Sequence, residues 1–411
     1  MPGPLPRVAM AQYCLAYLGV HLGFMPLLVL LVPRRIEGFA PASAAELLSW
    51  LLLLGAVVAA ASNIYAGHMS DRWLARHGNR RGLIAVGVGA LAASYVLLAI
   101  TVTYWQTLAA ILVFQVALNI AFAPLAALLS DHFRNEQKGR MGSAIFAALP
   151  ASNLSVVFIA WLFPQDSASA FLFAGALAIA CFLPLLMRWD MGALQQADVT
   201  ERVPPAEKPR HASRDFAICW SARLAMQLGA AFVHGYIYLY LGALLVEVAA
   251  NGGSLPDRTS TGLLSTITGP AAVIAIVITL ACGVVSDRMG LRRLPLLAAS
   301  LAVAAGLAAL AQADGLAMLM AGYIAFSAGL STFLSIEAAL VAQLVSGNPN
   351  RGALLGIMNL TNTLPSMIAP GLTLVAYQQA ALQQQLSALF MICAALALAS
   401  GVALQFVRTV R

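Results

Sequence analysis

Long apolar stretches broken by short polar segments run the length of the chain, with neither the strict alternation of strands nor the one-sided stripe of surface helices. Crossing about 30 Å of hydrocarbon takes roughly 20 apolar residues in a helix, and a helix bonds its own backbone groups there. The pattern predicts spans near 8–33, 47–69, 82–102, 105–131, 140–163 and 169–188. It predicts a second set near 215–246, 259–285, 294–312, 316–346, 352–377 and 385–407. The reading is an all-α membrane protein of twelve transmembrane helices, with the first apolar run a span and no cleaved signal.

Composition fits a chain dissolved in lipid. It is 61% hydrophobic and 9% charged, where a water-soluble globule carries about 25% charge. Basic residues near span ends stay on the cytoplasmic side. With both termini inside, the cytoplasmic segments hold nineteen of the 23 Lys and Arg, the outer loops hold Arg34, Arg35 and Arg258, and Arg223 lies within a span. The net charge of +7 therefore reads as topology and gives no basis for nucleic-acid binding. The five cysteines lack any paired metal or redox spacing. No phosphate-binding lysine loop, metal cluster or nucleophile elbow occurs, so no cofactor, metal or catalytic residue is expected.

The chain also repeats itself. Gly67-His-Met-Ser-Asp71-Arg72 returns as Gly283-Val-Val-Ser-Asp287-Arg288, 216 positions on (283 minus 67), each at the end of an apolar run. At nearly the same offset Val20-His21 meets Val233-His234, Gly139 meets Gly352, and Leu149-Pro150 meets Leu364-Pro365. Two parallel six-helix repeats follow, 1–188 and 214–411, joined by a polar, proline-bearing cytoplasmic linker at 189–213.

Those loops resemble the signature of the major facilitator superfamily. Asp71-Arg72-x-x-x-Arg76-x-Gly78-x-Arg80-Arg81 is similar to the loop of sucrose/proton symporters and their bacterial relatives, the glycoside-cation symporters. Ala123-Pro124 through Asp131, Gln137-Lys138-Gly139-Arg140, and the run Leu355-Gly356 to Pro370 look like their fourth and eleventh spans and adjoining loop. Gly82 stands where that loop usually has proline. The resemblance implies the major facilitator fold in a bacterial inner membrane, acting as a monomer by alternating access.

Candidate residues fall into two groups. At the cytoplasmic ends, Gly67, Asp71, Arg72 and Arg140, with Gly283, Asp287, Arg288 and Arg351, are expected to form a gate. There the aspartates would pair with arginines and open helix N-termini. The flanking Arg76, Arg80, Arg292 and Arg293 read as plain topology signals.

Within the bilayer ionisable residues are costly and usually functional. Glu337 and Arg223 lie at similar depth, so an ion pair between spans 10 and 7 is possible, and Glu337 is a candidate proton carrier. His21 and His234 are the matched histidines of the repeat. Asn63, Gln115, Asn119, Gln227, Tyr236, Asn359 and Asn362 complete the candidate solute and proton site, beside Gln12, Tyr17, Asn153 and Tyr240. Polar groups at depth gather where helices meet or water enters.

The expected partners are a small polar solute, a sugar or glycoside leading, together with protons and the lipid bilayer. A proton-driven exporter of amphipathic compounds, and a transporter-like assembly or sensor protein, remain open alternatives.

Overall fold

The computed structural model describes residues 7–132, 135–188, 212–253, 255, 259–289, 292–345, 351–376 and 382–408. These residues are helical apart from short connections. The helices are α1 (Arg7–Phe39), α2 (Ala44–His77), α3 (Arg81–Ile100), α4 (Tyr104–His132), α5 (Asn135–Leu162) and α6 (Ala168–Arg188). After residues that are not described come α7 (Ala212–Ala250), α8 (Ser260–Met289), α9 (Arg293–Ala311), α10 (Leu316–Leu344), α11 (Arg351–Ala376) and α12 (Leu382–Leu404). Among the described residues, 10 helices are long and apolar enough to cross a membrane. The protein is an all-α, multi-spanning membrane protein.

The first helix departs most from the sequence reading, because it continues beyond 33 to Phe39. Pro26 has no N–H to give, and the turn that follows it, Leu27–Leu31, is π-helical, with the Val32 N–H bonded to the Leu27 carbonyl. Such bulges arise where the regular ladder is interrupted. The continuation carries Arg34 and Arg35, expected in an outer loop, into the protein. Arg35 is 4% exposed. Its guanidinium forks onto Asp166 at 2.8 and 3.0 Å, donates to the Leu98 carbonyl and Thr101 Oγ1, and lies 4.0 Å above the Phe171 ring. Arg34 donates to the Phe163 carbonyl at 2.8 Å. The buried Arg35 cation is tolerable because its donors are satisfied in this way, whereas Nε and Nη2 of Arg34 have no hydrogen-bond partner among the described residues; together the contacts fasten the end of α1 to α3 and α6. One turn of chain past Arg34, Glu37 lies beside Tyr238 of α7.

The α2 helix ends at Gly78, whose φ of +70° is left-handed and whose N–H closes onto the Leu74 carbonyl at 2.8 Å. Only a residue without Cβ takes that cap freely, which explains the glycine between the basic positions of the loop. Arg80 just beyond is not a plain topology signal. It is 5% exposed and donates to Ser70 Oγ and, at 3.0 Å, to Asp71 Oδ1.

Small residues set the closest helix contacts, as expected where lipid offers no hydrophobic drive for association. A Cβ built on Gly87 of α3 would lie 2.4 Å from the Ala121 nitrogen of α4. One on Gly306 of α9 would lie 2.4 Å from the Phe326 nitrogen of α10. Gly175 of α6 meets the Tyr95 ring of α3 in the same close manner, and Gly401 of α12 meets Ser300 of α9. Trp105 and Trp161 face outward, 74% and 73% exposed, as anchors at a lipid interface do.

Candidate functional site

Two groups of polar side chains are brought together by the helices, the second reaching from a buried ion pair to the exposed Asn359. In the first, Asn63 of α2 donates to Asn119 Oδ1 of α4 at 2.9 Å, and Asn119 donates to the Gln115 carbonyl at 2.8 Å. In the second, Arg223 of α7 donates to Glu337 Oε2 of α10 at 2.6 Å and to Asn362 Oδ1 of α11 at 3.3 Å. Asn362 Oδ1 also accepts from Gln227 Nε2 at 2.7 Å, and Asn362 Nδ2 donates to Asn359 Oδ1 at 2.9 Å. The two charges meet although they are 114 residues apart. Glu337 is fully buried and the Arg223 side chain 11% exposed. Glu337 Oε1 has no partner among the described residues, so one carboxylate oxygen holds the arginine while the other is bare.

Tyr17 of α1 lies within electrostatic reach of Arg223. Its ring stands 5.6 Å from His21 and 5.7 Å from Phe122 of α4. His234 of α7 is set against Phe326 of α10 at 6.0 Å. Neither imidazole has a hydrogen-bond partner among the described residues. Tyr236 is buried and shares a 2.6 Å hydrogen bond with Ser49 of α2. The Tyr240 hydroxyl donates to the Leu310 carbonyl, which is helix-to-helix glue.

One level away from the polar groups the interior becomes apolar. A cavity of about 120 Å³ lies among α1, α2, α4, α7 and α11, and of the side chains lining it only Gln115 and Ser366 are polar. The change follows helical steps of four, which keep residues on one face. On α7, Arg223 and Gln227 give way to Ala231 and Gly235; on α11, Asn362 gives way to Ser366 and Pro370. On α2, running the other way, Asn63 gives way to Ala59 and Gly55, and on α4 Asn119 and Gln115 give way to Ile111. The π-helical turn of α1 contributes Leu27 and Leu28 to this wall. Sequence reasoning found the polar level from the cost of buried amides and missed the apolar chamber, whose alanines, glycines and leucines look like any other span residues.

Of the gate candidates, Asp71 lies in the last turns of α2, is 73% exposed along its side chain and pairs with Arg80 beyond the Gly78 cap, and Arg72 is exposed. Nothing lies within 4 Å of a Cβ built on Gly67. The side-chain positions of Arg140, Gly283, Asp287, Arg288 and Arg351 lie outside the described residues.

This is a polytopic helical protein with a polar-to-apolar interior site, and it has the build of a membrane transport protein. The chain belongs to the Major Facilitator Superfamily, whose family profile matches residues 12–255 and, again, 228–411. It is therefore a transporter and not an enzyme. Among solved structures it is similar to a bacterial homolog of the human lysosomal transporter Spinster, crystallised in an inward-facing and unoccupied conformation. The two share 15% identity over 98% of this chain and 96% of that one, with a TM-score of 0.64. That likeness carries the fold alone. No match was found among curated protein sequences.

Proposed function

We propose that this transporter moves amphipathic compounds by alternating access, as a proton-driven exporter in a bacterial inner membrane. The observation that carries this reading is the shared change of level on α2, α4, α7 and α11, from Arg223, Gln227, Asn362 and Asn119 to an apolar chamber. A solute with a polar end and an apolar body matches both levels at once, since binding pockets are largely apolar with a few placed polar groups. A sugar, favoured by the loop and span-11 resemblance, has hydroxyls on every side and would leave many of them facing Leu27, Leu51 and Phe114 unbonded. The sugar reading is less well supported for that reason.

In this account the helices form two six-helix halves, α1–α6 and α7–α12, about a cytoplasmic linker at 189–213, with both termini cytoplasmic. Support comes from the doubled family match. It comes also from the glycine contacts, which join the third helix to the fourth and to the sixth in both halves. Glu337 is the proton carrier, because its bare Oε1 can take a proton while Oε2 keeps, or surrenders, Arg223. His21 and His234 are secondary proton sites. Asp71 holds the cytoplasmic latch between the halves with Arg140 or Arg351, so Asp71→Asn is expected to increase labelling of cysteines engineered into the cytoplasmic cavity. Unchanged labelling at normal expression would leave Asp71 as a solvated residue at the end of α2 bonded to Arg80.

The solute class is tested by ligand-induced stabilisation of purified protein, since a compound that binds only the folded state raises apparent stability by mass action. Amphipathic cations and anions below their micellar concentrations are expected to raise the melting temperature, and sugars and glycosides are not. Gly55 faces the chamber, where an added Cβ would stand 3.6 Å from the Gln115 amide. Gly55→Leu should therefore weaken the amphiphile response about tenfold. Stabilisation by a sugar alone, untouched by Gly55→Leu, would reverse the assignment.

A further inference from the structure

On the outer face of the molecule, away from the interior site, a groove of about 690 Å³ runs between α7 and α12. Ala395, Ala399 and Ala403 recur at steps of four along α12, and Leu398, Val402 and Phe406 recur likewise, so a stripe of small side chains runs beside a stripe of large ones on its α12 side. The other side is Ile218 and, one turn nearer the helix start, Arg214. The end of α12 and the start of α7 lie on the same side of the membrane, because the Arg408 backbone N–H donates to Asp215 Oδ2 at 2.8 Å. From Ala395 to Phe406 the groove is roughly 16 Å long at 1.5 Å per residue. That is about half of a 30 Å hydrocarbon layer, the depth of a single leaflet.

Arg214 is exposed and forms no ion pair with a carboxylate among the described residues. It sits at the headgroup end of an apolar slot one leaflet deep, two residues into a helix whose N-terminus adds positive potential. A stripe of alanines beside larger side chains leaves room for an apolar chain, and a chain lying along it meets an unspent guanidinium at headgroup depth.

We propose that this groove binds one anionic phospholipid, its acyl chain along Ala395, Ala399 and Ala403 and its phosphate on Arg214. The leaflet is the one onto which the α7 N-terminus opens, cytoplasmic in the orientation proposed above. An anionic headgroup suits the site better than a zwitterionic one, because an ammonium beside the phosphate would be repelled by Arg214. Basic sites at the cytoplasmic ends of membrane helices commonly select lipids this way.

The full chain, purified in detergent and stripped of lipid, is titrated with phosphatidylglycerol or phosphatidylcholine and the bound lipid counted by native mass spectrometry. One phosphatidylglycerol is expected to be retained in preference to phosphatidylcholine. Arg214→Gln should weaken it about tenfold, Arg214→Lys should restore most of the binding, and Ala399→Phe, which fills the alanine stripe on an exposed face, should abolish it. Phosphatidylglycerol binding unmoved by both Arg214→Gln and Ala399→Phe overturns the proposal. So does a dimer that Ala399→Phe dissociates without changing lipid retention, since the groove would then seat a second copy.

Discussion

Removing either member of the Arg223–Glu337 pair alone is expected to destabilise the protein far more than removing both. Glu337 is fully buried, Arg223 nearly so, and they meet at 2.6 Å. Arg223→Met leaves a fully buried carboxylate without the one side chain that donates to it; Glu337→Leu leaves a guanidinium whose remaining hydrogen-bond partner among the described residues is Asn362 at 3.3 Å. In soluble proteins a stranded buried charge costs about 3–5 kcal/mol, whereas exchange of a whole pair for apolar groups is often neutral. The double variant should thus melt close to wild type and each single variant well below it. The double-mutant cycle on thermal stability isolates this coupling. Additive losses would show that the two side chains do not depend on each other, and the proton-carrier role of Glu337 would lose its mechanism.

The second large effect is steric. At Gly87 and Gly306 an added Cβ would lie 2.4 Å from a backbone nitrogen of the neighbouring helix, with further backbone atoms inside 3 Å. A backbone cannot swing aside as a side chain can, so α3 must part from α4, or α9 from α10. Overpacking costs about 1–3 kcal/mol in soluble cores, and leucine at either position should reach or exceed the top of that range. Gly89, two residues from Gly87, has nothing within 4 Å, and Gly89→Leu should melt like wild type. Equal tolerance at Gly87 and Gly89 would mean the helices are not in backbone contact.

Much of this was legible in the sequence, for identifiable reasons. Hydrocarbon imposes its own length on a helix, so an all-α, multi-spanning protein could be read from the lengths of its apolar stretches, and the expense of charge at depth singled out Arg223 and Glu337 among 411 residues. Their similar distance from the span ends puts them at one depth, where a pair can form. Arg35 was misread by the same rule. Two adjacent arginines after a proline look like a loop, and no local signal announces a helix that resumes through a π turn or a carboxylate 131 residues away. Arg80 was discounted because topology explained its charge, while its hydrogen bonds depend on how Gly78 turns the chain back over Ser70. The chamber was invisible for the opposite reason. In a chain with 61% hydrophobic residues, an alanine lining a cavity and an alanine facing lipid carry the same letter.

Vectorial flux in proteoliposomes bears most directly on the central claim of proton-coupled movement of amphipathic solutes. Purified protein is reconstituted, a pH gradient is imposed, and accumulation of an amphipathic compound found by thermal shift is followed against the gradient. Wild type should concentrate the compound when the gradient is present and only equilibrate it when the gradient is collapsed. Glu337→Gln should equilibrate it in both conditions while still exchanging bound solute. Full uphill accumulation by Glu337→Gln would remove Glu337 as the coupling acid, and the absence of any gradient-dependent flux in wild type, with binding intact, would contradict the account as a whole.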